Sequence, residues 1–225
     1  MSKLLETIDI ETAPQPTVAI IWLHGLGADG NDFVPLVREL DLRGLPPIRF
    51  VFPHADTMPV TVNNGYVMRA WYDIVHSDLG RREDEAGLRR SQVQIEALIA
   101  RENARGIATS HIILAGFSQG CAMTLQTGLR QSQQLAGMLC LSGYLPIAAT
   151  VAAERSDASL TTPIFMAHGR SDGVVPIGRA SDSRLLLQSL GYQIEWHDYP
   201  MQHSLCAEEV GDIGAWLHKV LAKLA

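Results

Sequence analysis

The pattern G-x-S-x-G, which is typical of a nucleophilic serine on a sharp turn, occurs twice in the sequence, around Ser118 and around Ser171. Such a serine needs a strand that leads into a tight turn and then directly into a helix. Residues 111–115 form an apolar run typical of a strand, and residues 120–127 begin an amphipathic helix. Pro176 instead favours a helix that starts several residues after Ser171. We therefore predict that Ser118 is the nucleophile and that the second copy is an ordinary turn.

A serine hydroxyl is a weak nucleophile at pH 7, so it needs a base and an acid that orients this base, in the chain order Ser, Asp or Glu, His. His203 and Asp172 both lie in loops that follow predicted strands. The carboxyl ends of parallel strands are where such a sheet places its site. We therefore predict a triad of Ser118, Asp172 and His203. The competing acids and bases lie within predicted strand, helix or polar stretches: Asp157, Asp182, His197 and His218.

Hydrolysis of an ester also needs N–H donors for the negative charge that develops on the carbonyl oxygen. The backbone amide of Gln119, directly after the nucleophile, supplies one such donor at a helix N-terminus. The glycine-rich loop 24–27 follows a predicted strand and can bring a second donor, because glycine allows the backbone to approach closely. These residues predict an oxyanion hole made of backbone amides.

The same glycines match the dinucleotide-binding pattern G-x-G-x-x-G at residues 25–30, with Asp56 beyond the next strand as a possible ribose ligand. In a true nucleotide site the third glycine lies inside the helix. Here Asn31 and Asp32 follow Gly30 and have the residue types of a helix N-cap. We therefore expect no nucleotide cofactor. No H-E-x-x-H or paired Cys/His spacing predicts a metal site either.

The elements that must position these residues alternate along the chain. Apolar runs rich in β-branched residues predict strands at residues 18–23, 48–52, 112–117, 138–141, 164–167 and 192–199, with a further strand near 4–10. Amphipathic stretches predict helices at residues 32–40, 85–103, 119–130, 177–190 and 207–224. This order predicts one α/β domain over residues 1–225, with a mostly parallel central sheet, helices on both faces and no separate cap domain.

The segment 53–80 is long for a connection and contains many apolar side chains. Long structured loops in compact domains are often functional. We predict that this segment covers the site, with Met68, Trp71 and Tyr72 forming an apolar wall for an acyl chain. The alternative is that these residues only cover the surface of the fold, as apolar residues in long loops commonly do.

Composition excludes several classes of function. The 225 residues include 24 acidic and 18 basic side chains, for a net charge of -6 without a cationic cluster, so we predict no nucleic-acid partner.

The N-terminus lacks the pattern of a signal peptide, and three cysteines without C-x-x-C spacing indicate reduced thiols and a cytoplasmic protein. Residues 131–153 carry no charge, but glutamines and Pro146 interrupt them, so we predict no integral membrane association.

Four stretches resemble the acyl-protein thioesterase/carboxylesterase family of α/β hydrolases: LHGLGADGND from Leu23, RAWYD from Arg69, AGFSQG from Ala115 and AHGRSDGVVP from Ala167. The resemblance spans nearly the whole chain. It implies an oxyanion hole made by the backbone amides of Leu26 and Gln119, and it implies the roles of the triad: Ser118 as nucleophile, His203 as base and Asp172 as its partner. One departure is Cys121, where the family commonly has a second glycine, and we expect a small buried residue there.

The resemblance implies a serine carboxylesterase that acts through an acyl-enzyme, without a metal or an organic cofactor. The short cover predicted over residues 53–80 should enclose only short to medium acyl chains. The alternatives are acyl-protein thioesterase or lysophospholipase activity on the same triad, and a non-catalytic binding protein of the same fold. The substrate is expected to be a small-molecule ester or thioester, and the leaving group stays open between a thiol, a small alcohol and a lysophospholipid head group. A homodimer is suggested by the resemblance alone.

Overall fold

The computed structural model describes residues 4–76 and 83–222, and the strands and helices below belong to these ranges. The strands are β1 (Thr7–Glu11), β2 (Val18–Leu23), β3 (Ile48–Pro53), β4 (Thr57–Val60), β5 (Tyr66–Arg69), β6 (Ile112–Phe117), β7 (Gly137–Leu141), β8 (Ile164–Gly169) and β9 (Ile194–Tyr199). The α-helices are α1 (Glu85–Ala104), α2 (Gln119–Gly128), α3 (Val151–Glu154), α4 (Ile177–Ser189) and α5 (Ala207–Leu221).

The central sheet has the strand order β1-β3-β2-β6-β7-β8-β9. Strand β1 is antiparallel to β3, and all other pairs in this sheet are parallel, so the predicted mostly parallel sheet is confirmed. The chain goes from β2 to β3 on one side and later returns to place β6 on the other side of β2. The loops that leave β2 and β6 therefore diverge, and such a switch point is where an open α/β sheet forms its site.

Helices cover both faces of the sheet, because its strands carry apolar side chains on both sides. Alternate residues of β2 belong to two different apolar cores: Ala19, Ile21 and Leu23 on one face, and Val18, Ile20 and Trp22 on the other. Side chains of α1, α2 and α4 fill the first core, and side chains of α5 fill the second. None of the helices in the described ranges has the length and apolarity needed to cross a membrane.

The predicted helix at 32–40 is wrong. This stretch forms a 3-10 helix over Val34–Arg38, with Leu36 N–H donating to Phe33 O and Glu39 N–H donating to Leu36 O. The apolar pattern does not distinguish the two kinds of helix, because the buried Phe33 and Leu36, three residues apart, share a face in either one.

Several predicted boundaries are displaced for local reasons. The strand predicted at 192–199 starts at Ile194, since Gly191 has a left-handed backbone (φ 93°) and the following Tyr192 N–H donates to Leu187 O at the end of α4. The strand predicted near 4–10 is displaced to Thr7–Glu11, where it pairs with residues 49–53 of β3. The last helix ends at Leu221, and the predicted residues 223–224 lie outside the described residues.

The segment 53–80, of which residues 77–80 lie outside the described residues, contains an antiparallel hairpin of β4 and β5 that the sequence pattern did not predict. Its strands have four residues each and include Pro59, so the alternation of apolar and polar residues is too short to recognise. The short helix α3 was not predicted for the same reason of length.

Strand β6 and helix α2 approach so closely that two glycines are required. A Cβ at Gly116 would overlap the backbone of Gly120, and a Cβ at Gly120 would overlap the carbonyl oxygens of Leu23 and His24. Both conflicts involve backbone atoms, which cannot move aside as a side chain can. The packing therefore ties the start of α2 directly to the end of β2.

We expect Gly120→Ala to reduce stability by about 1–3 kcal/mol, because the new methyl group displaces the backbone after β2. Gly178→Ala is the matched control, since Gly178 also lies in a helix and nothing lies within 4 Å of an added Cβ. The control should be neutral or stabilising by up to about 1 kcal/mol. Urea unfolding measures both free energies, and equal effects at the two positions would contradict the packing argument.

Candidate active site

Ser118 lies between β6 and α2 with a left-handed backbone (φ 57°, ψ -117°). Non-glycine residues rarely adopt this conformation, and it costs on the order of 1–3 kcal/mol. The surroundings hold it, since Ser118 N–H donates to Leu141 O at 2.9 Å and Ala122 N–H donates to Ser118 O at 3.2 Å. The Oγ atom lies 2.9 Å from Nε2 of His203. The turn thus directs the hydroxyl toward the imidazole.

His203 comes from the loop between β9 and α5, and its Nδ1 lies 2.7 Å from Oδ2 of Asp172. A carboxylate only accepts hydrogen bonds, so Nδ1–H is the donor and Nε2 is left to accept the Ser118 hydroxyl proton. The ring also packs against Phe117, with 4.7 Å between ring centroids. The structure therefore brings Ser118, His203 and Asp172 into one continuous series of hydrogen bonds.

Asp172 is held by the loop after β8, and its side chain is completely buried. Its Oδ1 accepts hydrogen bonds from the backbone N–H groups of Val174 and Val175, at 2.8 Å each. Two N–H donors on one oxygen fix the carboxyl plane and leave the other oxygen for His203. The turn at Asp172 and Gly173 therefore orients the acid.

His168, which no sequence pattern identified as a site residue, also faces Asp172. It is fully buried, and its Nε2 donates to Val175 O at 2.8 Å and lies 3.3 Å from Asp172 Oδ2. Burial lowers the pKa of His168, so the ring stays neutral at pH 7. Its place, at a strand end and four residues before the acid, is the signal that could have identified it.

The loop after β2 lies beside the serine: a Cβ on Gly25 would be 3.5 Å from Cβ of Ser118. His24 shapes this loop, since its Nδ1–H donates to Gly25 O at 2.7 Å and its Nε2 accepts from Ala55 N–H at 3.1 Å. Leu26, one of the two predicted oxyanion donors, is half-buried in this loop. Gln119, the other, is buried at the first residue of α2.

The prediction that Trp71 and Tyr72 form an apolar wall for an acyl chain is wrong. Their side chains are 2% and 1% exposed and belong to the core beneath the site. The apolar pattern of the segment reflects burial, because large aromatic side chains gain most from leaving water. Of the three predicted wall residues, only Met68 is half-buried, and its sulfur would lie 3.5 Å from a Cβ on Gly27.

The competing motifs take other roles. Asp29 and Asn31 form a local turn instead of the N-cap of an α-helix, with 2.8 Å from Asn31 N to Asp29 Oδ1. Asp56 accepts a hydrogen bond from Gln94 at 2.7 Å. Ser171 N–H donates to Met201 O in a turn, and His197 stacks on Phe165 in the sheet. In the described ranges, no group of three or more His, Cys, Asp or Glu could hold a metal ion.

Cys121 lies in the first turn of α2 and is 1% exposed, so the expectation of a small buried residue at this position is confirmed. Its Cβ lies so close to Gly143 that a Cβ there would be 2.5 Å away. The side chain that replaces the family's glycine is therefore accommodated by a glycine on the facing loop.

The comparisons with known proteins extend over almost the whole chain. The model of a family described as phospholipase/carboxylesterase matches residues 6–221. The chain belongs to this family. It is similar to acyl-protein thioesterase 1 of Gibberella zeae, with 38% identity over 93% of both chains.

Two solved structures agree with this result. The chain is similar to Arabidopsis thaliana SOBER1, with a TM-score of 0.86 and 30% identity over 91% of this chain and 99% of the other. It is also similar to acyl-protein thioesterase 2 of Zea mays, with a TM-score of 0.85 and 26% identity over 96% of this chain and 99% of the other. The protein therefore has the α/β-hydrolase fold, as the sequence analysis predicted, and it is a serine hydrolase with esterase or thioesterase activity.

We expect the buried His24 to make stability pH-dependent. Burial lowers the pKa of His24 to about 4, below its usual value of 6.5, so the unfolded chain binds more protons between these values. The contribution of His24 is complete above pH 6.5 and is lost as the pH falls through 4, with a total of about 3 kcal/mol.

Urea unfolding at several pH values should show this loss, and His24→Gln should remove that part of the pH dependence. His111 provides the control, because it is half-buried and, among the described residues, its ring bonds to the carbonyl oxygen of Thr17 alone. The curve of His111→Gln should keep the wild-type slope. A His24→Gln curve parallel to wild type would contradict the assignment.

Proposed function

We propose that Ser118 attacks the acyl carbonyl of an ester or thioester while His203 accepts the hydroxyl proton and Asp172 orients His203. The observation that carries this proposal is the series of hydrogen bonds from Asp172 Oδ2 through His203 to Ser118 Oγ, at 2.7 and 2.9 Å. In this geometry the three side chains supply the nucleophile, the base and the orienting acid that acyl transfer requires.

The first half of the reaction forms an acyl-enzyme. The Oγ–carbon bond forms as Nε2 of His203 takes the proton, and the carbonyl oxygen becomes an alkoxide that the backbone N–H groups of Leu26 and Gln119 bind. When the alkoxide collapses, the bond to the leaving oxygen or sulfur breaks, and the imidazolium returns its proton to that atom. In the second half, water repeats the sequence and releases the carboxylic acid and free Ser118.

The relatives favour a thioester over a short-chain oxyester as the substrate. The relatives from Gibberella zeae and Zea mays are both named acyl-protein thioesterases. The argument for a short-chain carboxylesterase relied on an apolar wall that included Trp71 and Tyr72, and both are buried. We therefore propose acyl thioesters as the preferred substrates and retain oxyesters, including lysophospholipids, as the second candidate.

Ser118→Ala should abolish turnover of both thioesters and oxyesters, because no other atom of the proposed site can form the acyl-enzyme. Ser171→Ala is the matched control: this serine has the same G-x-S-x-G pattern but lies in a turn that the mechanism does not use. Steady-state rates with both classes of substrate measure the effect. Turnover retained in Ser118→Ala, or lost in Ser171→Ala alone, would contradict the assignment.

A matched pair of substrates tests the leaving group. We expect an octanoyl thioester to be cleaved with at least tenfold higher kcat/KM than the octanoyl oxyester of the corresponding alcohol, after each rate is divided by its rate with hydroxide. This division removes the intrinsic reactivity of the leaving group, so the remaining factor reports recognition by the protein. An equal or reversed ratio would favour the oxyester candidate.

A further inference from the structure

We propose that residues 69–72 set the spacing between the two amides of the oxyanion hole, and that the side chains of Trp71 and Gln119 are positioning residues. The proposal rests on the proposed function, because it assigns these side chains to the donors Leu26 and Gln119 N–H. It gives a role to Trp71 and Tyr72, which were predicted to line an acyl chain and are instead buried in the core.

The loop that carries Leu26 is attached to this segment at both of its ends. Gly27 N–H donates to Arg69 O at 2.9 Å, and Nε1–H of Trp71 donates to His24 O, also at 2.9 Å. The two bonds flank Leu26 on either side in the chain. The position of its N–H group is therefore determined by residues 69–71.

The residue that carries the second amide is attached to the same segment through its side chain. The Gln119 amide oxygen accepts from Trp71 N–H at 2.8 Å, and its amide nitrogen donates to Tyr72 O at 2.7 Å. Gln119 is only 4% exposed, so these bonds form away from competing water. Two bonds fix both the distance and the orientation between the first residue of α2 and the segment.

Residues 69–72 are fixed by contacts with the protein core, so they cannot move with the loop that carries Leu26. Their peptide groups bond outward: the Ser91 hydroxyl of α1 donates to Trp71 O, and Ala70 N–H donates to Asp56 O at 3.1 Å. The side chains of Trp71 and Tyr72 are packed in the core. One rigid segment thus contacts both donor-bearing elements, which come from distant parts of the sequence.

Spacing matters because an oxyanion hole acts only when both donors lie at about 2.7–3.1 Å from the position of the charged oxygen. A displacement of about 1 Å can reduce a rate by on the order of 100-fold. Removing one bond of the network should therefore reduce turnover while the catalytic side chains stay in place.

Trp71→Phe tests the proposal, because it removes Nε1–H but keeps an aromatic ring in the core. We expect kcat to fall by roughly 10- to 100-fold, with KM within about twofold of wild type. The inhibition constant of an alkyl trifluoromethyl ketone should rise by the same factor. The carbonyl carbon of this ketone bonds to Ser118 Oγ, and the hydroxyl proton moves to His203. The oxyanion that results needs the backbone amides of both Leu26 and Gln119.

Trp22→Phe is the matched control. Trp22 is 1% exposed on β2, close in sequence to the same loop, but its Nε1 has no hydrogen-bond partner among the described residues. This variant also shrinks a buried indole, so it measures the general cost of the substitution. It should leave kcat and the inhibition constant within about twofold of wild type.

Gln119→Met provides a second, independent variant, since it removes both side-chain bonds and leaves the backbone N–H of residue 119 in place. It should also lower kcat and raise the inhibition constant. Because Trp71 and Gln119 act on one segment, the double variant should lose less than the product of the two single effects. A product of independent effects would overturn the proposal.

The proposal is also overturned if Trp71→Phe lowers the melting temperature but changes neither kcat nor the inhibition constant, because that result describes a purely structural residue. The failure of the proposed function is a different result, namely turnover in Ser118→Ala. An inactive Ser118→Ala together with an unaffected Trp71→Phe would reject this inference alone.

Discussion

The structure depends on the left-handed backbone at Ser118, which β6 and α2 impose where they meet. This conformation is unfavourable for serine and persists only because neighbouring residues allow no other path. Gly116 and Gly120 let strand, turn and helix come together without a Cβ between them, and Leu141 O accepts the Ser118 N–H. The strain is the cost of holding a hydroxyl clear of the sheet at the start of a helix.

The rest of the site follows from the order of the strands. Because β3 and β6 lie on opposite sides of β2, the loops after β2 and β6 separate and form the two sides of the proposed oxyanion hole. The loops after β8 and β9, the next strands beyond β7, supply Asp172 and His203. Four chain segments that are distant in sequence thus meet at one edge of the sheet.

Much of this arrangement was predictable because parallel strands buried on both faces leave clear apolar runs, and reactive residues at their ends stand out. The predicted strand ends were sufficient to select Ser118, Asp172 and His203 from among their competitors, and the structure brings these three side chains together. The family and the α/β-hydrolase fold are confirmed by the comparisons. Sequence patterns therefore identify residues such as Ser118, whose chemistry depends mainly on their position at the end of a strand.

The parts that could not be predicted depend on contacts between distant segments. Apolar composition does not distinguish an exposed wall from a core, so Trp71 and Tyr72 were misassigned. His24 and His168 were missed because their roles come from backbone groups that only the fold brings near, such as Ala55 N–H and Val175 O. The 3-10 helix at Val34–Arg38 was missed because apolar residues three apart share a face in both kinds of helix.

The central claim is that the strained Ser118 is the nucleophile, and covalent labelling tests it most directly. The protein is treated with a fluorophosphonate, its intact mass is measured, and the modified peptide is sequenced by mass spectrometry. We expect one adduct per chain, on Ser118, and a rate of labelling that falls when His203 is replaced by Ala. An adduct on Ser171 or on any other residue, or no adduct at all, would contradict it.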